Sequence, residues 1–253
     1  EYTDLIWKAL QYLGYPKQRK KRTFTFYHSH DIDDLKTWQT PFRFLKSIAK
    51  HTIKYPSLPF VLSSLYKYPL SLINPNYDPA YTFDFLMDLS ESINTKSHFY
   101  FMAGGNSHLD NRYKNTSTLA KKTLQHIHNR GHVIGFHPSY NSYNSTQQFK
   151  KELDLLQSVS PQTIKHGRQH YLRFDIPQTW EIWNNSNLEY DSTCAYSQQI
   201  GFRTGCCYEY PLFNILTRCQ LSLKEKPLTV MDVTLQNLSN TSLENKFNQF
   251  EDL

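Results

Sequence analysis

Short apolar segments with strand composition alternate with amphipathic helices along this chain. Such alternation is typical of βα units, in which helices connect the strands of a mainly parallel sheet, so we predict an α/β fold. Residues 55–79 hold five prolines and are predicted to be irregular. The predicted strands are 23–27, 97–103, 132–136, 164–167, 188–191, 219–223 and 228–234, and the predicted helices are 4–13, 41–53, 81–93, 117–130, 146–158 and 177–186.

The length of 253 residues suits a single α/β barrel domain. We predict an N-terminal helix and basic linker over residues 1–22. A barrel domain is predicted over residues 23–253, truncated at its C-terminus and part of a longer chain with further domains. The net charge of +6 is modest for this length, so nucleic acid is not an expected partner.

Sequence patterns for several other classes of protein are missing. The chain has eight glycines and contains neither GxGxxG nor a GxxxxGK loop, so a nucleotide-binding loop is not expected. It also lacks a run of 18 apolar residues, so we predict no transmembrane segment. The four cysteines form no CxxC pair, and we expect reduced thiols and a cytoplasmic protein.

Polar and ionisable side chains follow the C-terminal ends of the predicted strands. In a β/α barrel these ends meet on one face, where active sites are built. The pattern therefore predicts a distorted, incomplete β/α (TIM-like) barrel with a site at one mouth. The side chains are Asp31, Asp33, His137, Arg168, His170 and Asp191.

The first of these groups lies in HSHDIDD, residues 28–34. In an extended segment Asp31 and Asp33 point the same way, and their repulsion requires a cation or a proton. A metal ion would supply the cation and leave one carboxylate as a general base. The alternative is a polar turn that caps the next helix. His137 also has two interpretations, because an imidazole at a strand end can be a zinc ligand or a structural residue.

The order of these motifs resembles the polysaccharide deacetylase superfamily, specifically carbohydrate esterase family 4. The shared order is D-x-D after a strand, His-Pro-Ser-Tyr after a strand, Arg-x-x-Tyr, Asp-Ser-Thr and Gly-Phe-Arg, within residues 23–235. The chain is most similar to a bacterial branch with H-D-V/I-D in its first motif, often encoded beside surface-polysaccharide genes. The resemblance implies the incomplete barrel of that superfamily. It also implies metal-dependent deacetylation of an acetylated sugar in a bacterial surface polysaccharide or its precursor.

The resemblance further implies roles for individual residues. Asp31 would be the catalytic base, and Arg168 would orient it. Asp33 and His137 would be ligands of a divalent metal, expected to be zinc, and Asn141 stands where the family has a second ligand histidine. The implied substrate-binding residues are Ser139, Tyr140, His170, Tyr171, Asp191 and Arg203.

Two positions depart from the family pattern. With Asn141 in place of an imidazole, Asn141, Ser139 or water would complete a site that holds zinc weakly. The family's fifth motif, a late strand ending in a general-acid histidine, is absent, and no histidine follows Asp232. The chain is then either completed by residues beyond Leu253 or a degenerate relative.

Two other functions remain open. His28 and His30 form the H-x-H pattern of amidohydrolase and PHP-type barrels, with His137, His170 and Asp191 as further ligands. A non-catalytic deacetylase-like domain that binds glycan or serves as a scaffold would fit the missing ligands. It would also fit the 38 aromatic residues, although core packing is the more common role of aromatic residues.

Overall fold

Seven short strands form one mostly parallel sheet. The computed structural model describes residues 2–19, 23–110 and 113–237. Its strands are β1 (Ser29–Ile32), β2 (His98–Phe101), β3 (Val133–Phe136), β4 (His166–Gly167), β5 (Tyr190–Asp191), β6 (Tyr210–Asn214) and β7 (Cys219–Glu225). Their spatial order is β1-β2-β3-β4-β5-β7-β6. Neighbours run parallel from β1 to β5 and on to β7, and β6 lies antiparallel to β7.

Helices and two single turns of 3-10 helix connect the strands. The turns are Pro75–Tyr77 and His170–Leu172. The helices of the described residues are α1 (Tyr2–Tyr12), α2 (Pro41–Lys54), α3 (Leu58–Ile73), α4 (Phe83–Ser92), α5 (Thr118–Asn129), α6 (Thr146–Val159), α7 (Gln178–Asn185) and α8 (Asp232–Asn237). No helix in the described part of the chain has the length and apolar character needed to cross a membrane.

The α/β class and the mainly parallel sheet are confirmed, but a closed barrel is not. Among the described residues β1 and β6 form the two edges of an open sheet. The predicted boundary between a linker over 1–22 and the domain over 23–253 stays a prediction. Residues 20–22 and 238–253 lie outside the described part of the chain.

Two predictions near the N-terminus are wrong. The first strand is β1, and residues 23–27 form no strand. The aromatic side chains of this segment are not part of the core, and Phe24 is 89% exposed. The predicted irregular segment 55–79 contains α3. Proline is tolerated in a first helical turn, where Pro59 follows the N-cap Ser57.

One further prediction near the C-terminus is wrong, and one strand there was not predicted. Residues 228–234 form no strand, and Asp232 instead begins α8. The strand β6 was not predicted, because its sequence Tyr-Pro-Leu-Phe-Asn contains a proline. An antiparallel edge strand can accommodate a proline, because one side of its backbone has no neighbouring strand.

The core lies between the sheet and the helices that cover it. Alternate residues of β2 and β3 point into this core, with Phe99, Phe101, Ile134 and Phe136 fully buried. They pack with fully buried side chains of α5, α6 and α7, among them Leu124, Ile127, Phe149, Leu156 and Trp183. Polar side chains therefore remain for the other positions of the strands and for the strand ends.

Candidate metal centre

The C-terminal ends of β1, β3 and β4 lie together at one end of the sheet, which we also call this edge. Asp31 lies within β1 and Asp33 just after it, so Asp31 is a strand residue and does not follow a strand as predicted. His137 directly follows β3, and Arg168 directly follows β4. Because these strands run parallel in one sheet, residues distant in sequence meet at this edge.

Three side chains near these strand ends, Asp33, His137 and His170, surround a common point. The Asp33 Oδ1 atom lies 3.4 Å from His137 Nε2 and 3.8 Å from His170 Nε2. All three atoms lie within 4.8 Å of one another. Atoms that bind one zinc ion at about 2.1 Å lie roughly 3.4 Å apart in a tetrahedral site. The carboxylate and two imidazoles therefore fit a divalent cation, and the partial exposure of Asp33 (61%) leaves one side open to solvent.

The ring of His137 is oriented by a backbone carbonyl. Its Nδ1 atom lies 2.6 Å from the carbonyl oxygen of Arg168, so Nδ1 carries the proton and donates it. The Nε2 lone pair then points toward Asp33 and is available to a metal. Burial opposes the charged form of this imidazole. The carboxylates of Asp31 and Asp33 outweigh burial, and the pKa of His137 is raised.

The second imidazole is supported by a buried carboxylate. The His170 Nδ1 atom lies 3.4 Å from Asp110 Oδ1. Asp110 is held by the backbone N–H groups of Ser107 and Tyr140, at 2.7 and 2.8 Å. Burial, followed by the neighbouring His137, lowers the pKa of His170. A neutral imidazole whose second nitrogen faces a carboxylate is the usual arrangement of a histidine ligand.

A buried guanidinium fixes Asp31 next to this cluster. Arg168 Nη1 donates to Asp31 Oδ1 at 2.9 Å. Its Nη2 donates to the hydroxyl groups of Ser29 and Ser192, at 2.7 and 3.1 Å, and Nε donates to the Ser192 carbonyl at 3.0 Å. Three nitrogens are thus engaged, and the guanidinium cannot rotate away from Asp31.

The ring of Tyr100 covers the same guanidinium, with its centroid 5.2 Å from the central carbon of Arg168. The ring lies over Gly135 on the adjacent strand. A Cβ atom at position 135 would come within 2.4 Å of the Tyr100 ring. Glycine is therefore required at position 135 to let Tyr100 lie flat against β3.

A second pair of carboxylates lies within the sheet, where Asp191 of β5 and Glu225 of β7 are register partners with fully buried side chains. One oxygen of each is bonded, to the Thr193 hydroxyl and to the Cys194 backbone N–H respectively. Burial raises the pKa of Asp191 to about 6. Burial, and next the charge of Asp191, raise the pKa of Glu225 well above its usual range. Glu225 was not predicted from the sequence.

The predicted substrate-binding residues divide by exposure. Ser139 and Asp191 are fully buried, and the Ser139 hydroxyl donates to Glu152 at 2.6 Å. These positions do not favour direct contact with a substrate. Tyr140 and Tyr171 meet edge to face at 5.5 Å, and Tyr171 is 61% exposed. Arg203 is exposed and borders a cavity of about 370 Å³ with Tyr171, Tyr196 and Gln198.

Asn141 does not offer an uncommitted ligand atom. Its amide nitrogen donates to Asn106 at 2.9 Å, and its oxygen accepts from Arg173 at 3.1 Å. The third member of the cluster is His170, which the sequence assigned to substrate binding. Of the predictions made from the sequence, only the amidohydrolase alternative used His170 as a ligand.

The H-x-H pair of that alternative lies outside the cluster. His28 bonds the Ser90 hydroxyl at 3.0 Å, and His30 bonds the Ser97 hydroxyl at 3.2 Å. His30 also packs against the ring of Phe99 at 5.0 Å. Both imidazoles therefore have a structural explanation. Sequence reasoning also missed Asp110 and Glu152, which are buried carboxylates outside any motif that could have signalled them.

Comparisons with known proteins give similarity to solved structures alone. No protein-family profile matches the chain, and no curated protein matches it. A putative polysaccharide deacetylase from Mycobacterium smegmatis is 15% identical, with a TM-score of 0.46 over 80% of this chain. The chain spans 58% of the length of that protein.

Two further structures match over shorter stretches. The polysaccharide deacetylase Bc1974 from Bacillus cereus is 10% identical, with a TM-score of 0.35 over 62% of this chain and 77% of that one. The Bc1960 peptidoglycan N-acetylglucosamine deacetylase is 14% identical, with a TM-score of 0.34 over 66% of this chain and 76% of that one. At such low identities and TM-scores, the similarity does not extend to activity.

Proposed function

We propose that the chain is a metal-dependent carbohydrate deacetylase that acts on an acetylated sugar of a bacterial surface polysaccharide or its precursor. The observation that carries the proposal is the Asp33, His137 and His170 cluster beside the Asp31–Arg168 pair. The order of the sequence motifs supports the sugar substrate. Asp33, His137 and His170 would hold a divalent cation, expected to be zinc, and Asn141 would hydrogen bond near it.

A bound divalent cation would polarise the acetyl carbonyl and lower the pKa of a bound water. Asp31 would accept the proton of that water. Its Oδ1 atom is already bonded to Arg168, so Oδ2 is the oxygen that takes the proton. Water adds to the acetyl carbon, acetate departs, and the sugar amine or hydroxyl gains a proton. Asp31, which would hold that proton, is the group proposed to return it.

Arg168 is a positioning residue in this proposal. It orients Asp31 but lies too deep, at 3% exposure, to contact a substrate. Tyr140, Tyr171 and Arg203 would line the approach of the sugar, since aromatic faces bind sugar rings and a guanidinium donates to hydroxyl or anionic groups.

The test is release of acetate from acetylated chitooligosaccharides by the purified protein loaded with zinc. We expect turnover that chelation abolishes and that zinc restores. A protein that binds about one zinc ion and the oligosaccharide but releases no acetate would favour the non-catalytic glycan-binding alternative. A protein that binds no zinc would contradict the proposed centre itself.

A further inference from the structure

One long segment of this protein contains basic residues but no acidic ones. Residues 35–77 contain six Lys and Arg side chains and no Asp or Glu. The chain has 28 basic and 22 acidic residues, so outside this segment the two signs balance at 22 each. The segment therefore carries the whole net charge of +6. It contains α2 and α3, which we call the basic hairpin.

The basic side chains form a stripe on α2. Lys46, Lys50 and Lys54 are spaced by four residues and are exposed, so they lie on one side of the helix. Among the described residues no carboxylate forms an ion pair with them. Their charge is thus available to a partner outside the chain.

Both helices of the basic hairpin also expose apolar stripes. On α2 the stripe runs along Phe42, Leu45 and Ile53, with Ile53 85% exposed. On α3 the exposed apolar side chains also lie on one helix face, with Leu58, Leu62 and Leu65 spaced by four and three residues. They are Leu58, Leu62, Leu65, Tyr66, Leu72 and Ile73, all at least half exposed. Exposed apolar surface of this kind marks a site of interaction.

The two helices are fixed to each other by their opposite faces. The rings of Phe44 and Tyr68 stack at 4.0 Å, and those of His51 and Phe60 stack at 3.6 Å. Trp38 adds an edge contact to Phe44 at 5.3 Å. These aromatic contacts satisfy the inner faces, so the exposed leucines and lysines are not displaced members of the core.

We propose that the basic hairpin binds the surface of an anionic lipid bilayer. Lys46, Lys50 and Lys54 would contact the lipid phosphates. Phe42, Leu45 and Ile53, beside them on α2, would enter the boundary between headgroups and acyl chains. Helices that lie on membranes combine such basic and apolar faces. Attachment of this kind is peripheral and requires no spanning helix.

Charge decides between this surface and a second copy of the chain. In a two-fold dimer through the hairpin, the same acid-free segment would face itself and bring like charges together, which is costly. An anionic bilayer offers charge and apolar depth at once. The inference is independent of the proposed deacetylase activity, since no residue of the metal centre belongs to the hairpin.

The experiment is flotation of the protein with vesicles. Vesicles of phosphatidylcholine alone are compared with vesicles that also contain phosphatidylglycerol. We expect binding to the anionic vesicles alone, and less binding as salt is added. The triple variant K46E/K50E/K54E should partition into anionic vesicles at least about tenfold less, because each basic side chain near an anionic surface adds to the binding affinity.

A matched variant, K114E/K121E/K122E, makes the same charge change on exposed lysines outside the hairpin and should bind as the wild type does. The variant L45S/I53S, checked by circular dichroism for an unchanged fold, should weaken binding at constant charge. Equal losses in both lysine triples, or no binding to anionic vesicles, would overturn the proposal. So would a dimer in light scattering that L45S/I53S converts to a monomer.

Discussion

Two carboxylate pairs in this molecule are neutralised in opposite ways. Asp31 and Asp33, at the edge of the sheet, face cationic or metal-binding partners. Asp31 is 2.9 Å from the guanidinium of Arg168, and Asp33 is 3.4 Å from the imidazole of His137. Asp191 and Glu225, within the sheet, form no ion pair among the described residues, and both have raised pKa values.

The difference teaches that the chemistry of a carboxylate follows from its neighbours more than from its motif. A carboxylate paired with a fixed cation stays ionised and can accept a proton. A buried pair of carboxylates without an ion-pair partner is shifted toward its protonated form, because burial penalises the charged form of each group. The first pair can bind a cation or accept a proton, whereas the second lies inside the sheet, where a negative charge is costly.

The largest expected effect comes from removing the cation of the first pair. Arg168→Met should lower the free energy of unfolding by about 3–5 kcal/mol, because Asp31 loses its partner in a largely buried site. Urea denaturation measures the change. Arg203→Ala, at an exposed guanidinium with no ion pair among the described residues, is the control and should change it by less than about 0.5 kcal/mol. A loss below about 1 kcal/mol for Arg168→Met would show that Asp31 does not depend on this cation.

The next effect separates the two members of the first pair. Asp31→Asn should lower the rate of deacetylation by about 10²–10⁴-fold while zinc affinity stays near that of the wild type. Asp33→Asn should lower both, because a carboxylate ligand is lost. Acetate release and calorimetric titration of zinc distinguish the two roles. Equal loss of zinc in both variants would mean that base and ligand are misassigned.

The third effect concerns the origin of the third ligand. His170→Asn should weaken zinc binding by about 10–100-fold, whereas Asn141→Ala should leave it nearly unchanged. The reason is geometric, since His170 faces Asp33 and the Asn141 oxygen faces Arg173. Calorimetry of the two variants side by side checks this. A larger loss from Asn141→Ala would restore the ligand set expected from the motif.

The smallest effect tests the second pair. Below its ordinary value of 3.8 Asp191 is protonated in both states, and the stability tied to this proton is lost as pH rises through its folded pKa of about 6. The contribution of Asp191 to stability should therefore fall between about pH 4 and about pH 6. In Glu225→Gln the loss should shrink by on the order of 1–2 kcal/mol, because one buried charge is gone.

Urea denaturation at the two pH values gives the comparison. Asp154→Asn makes the same carboxylate-to-amide change at an exposed site and should leave the pH dependence nearly as it is in the wild type. A Glu225→Gln variant with an equal or steeper loss of stability would mean that Glu225 and Asp191 do not share a proton.

The sequence predicts the residues at the C-terminal ends of the strands better than it predicts the segments that connect the strands. Asp33 and His137 could be placed together because each was expected after a strand, and parallel strands must align these ends, although the strand before Asp33 is β1 and not 23–27. The interaction of His170 with them could not be predicted. It depends on a turn in which Tyr171 and Leu172 have φ values of 58° and 50°. Residues with large side chains rarely adopt positive φ values, so the sequence does not predict this turn.

Other features left no readable signal for a different reason. Asp110 and Glu225 belong to no motif, and their importance comes from burial, which single residues do not reveal. Helix α3 was missed because proline was taken as a breaker, although Pro59 sits in the first turn, where it is tolerated. The exposed apolar face of α3 was not predicted either, because no helix was expected within residues 55–79.

Gly135 contributes to the candidate centre by lacking a side chain. The Tyr100 ring occupies the space where a Cβ atom would stand, and the same ring lies against the guanidinium that holds Asp31. Any side chain at position 135 would push Tyr100 outward, and Arg168 would lose one wall of its site. Among natural variants, position 135 should therefore be as invariant as the charged residues, although it carries no chemistry of its own. Selection at this position would act on the absence of a side chain and not on a chemical group.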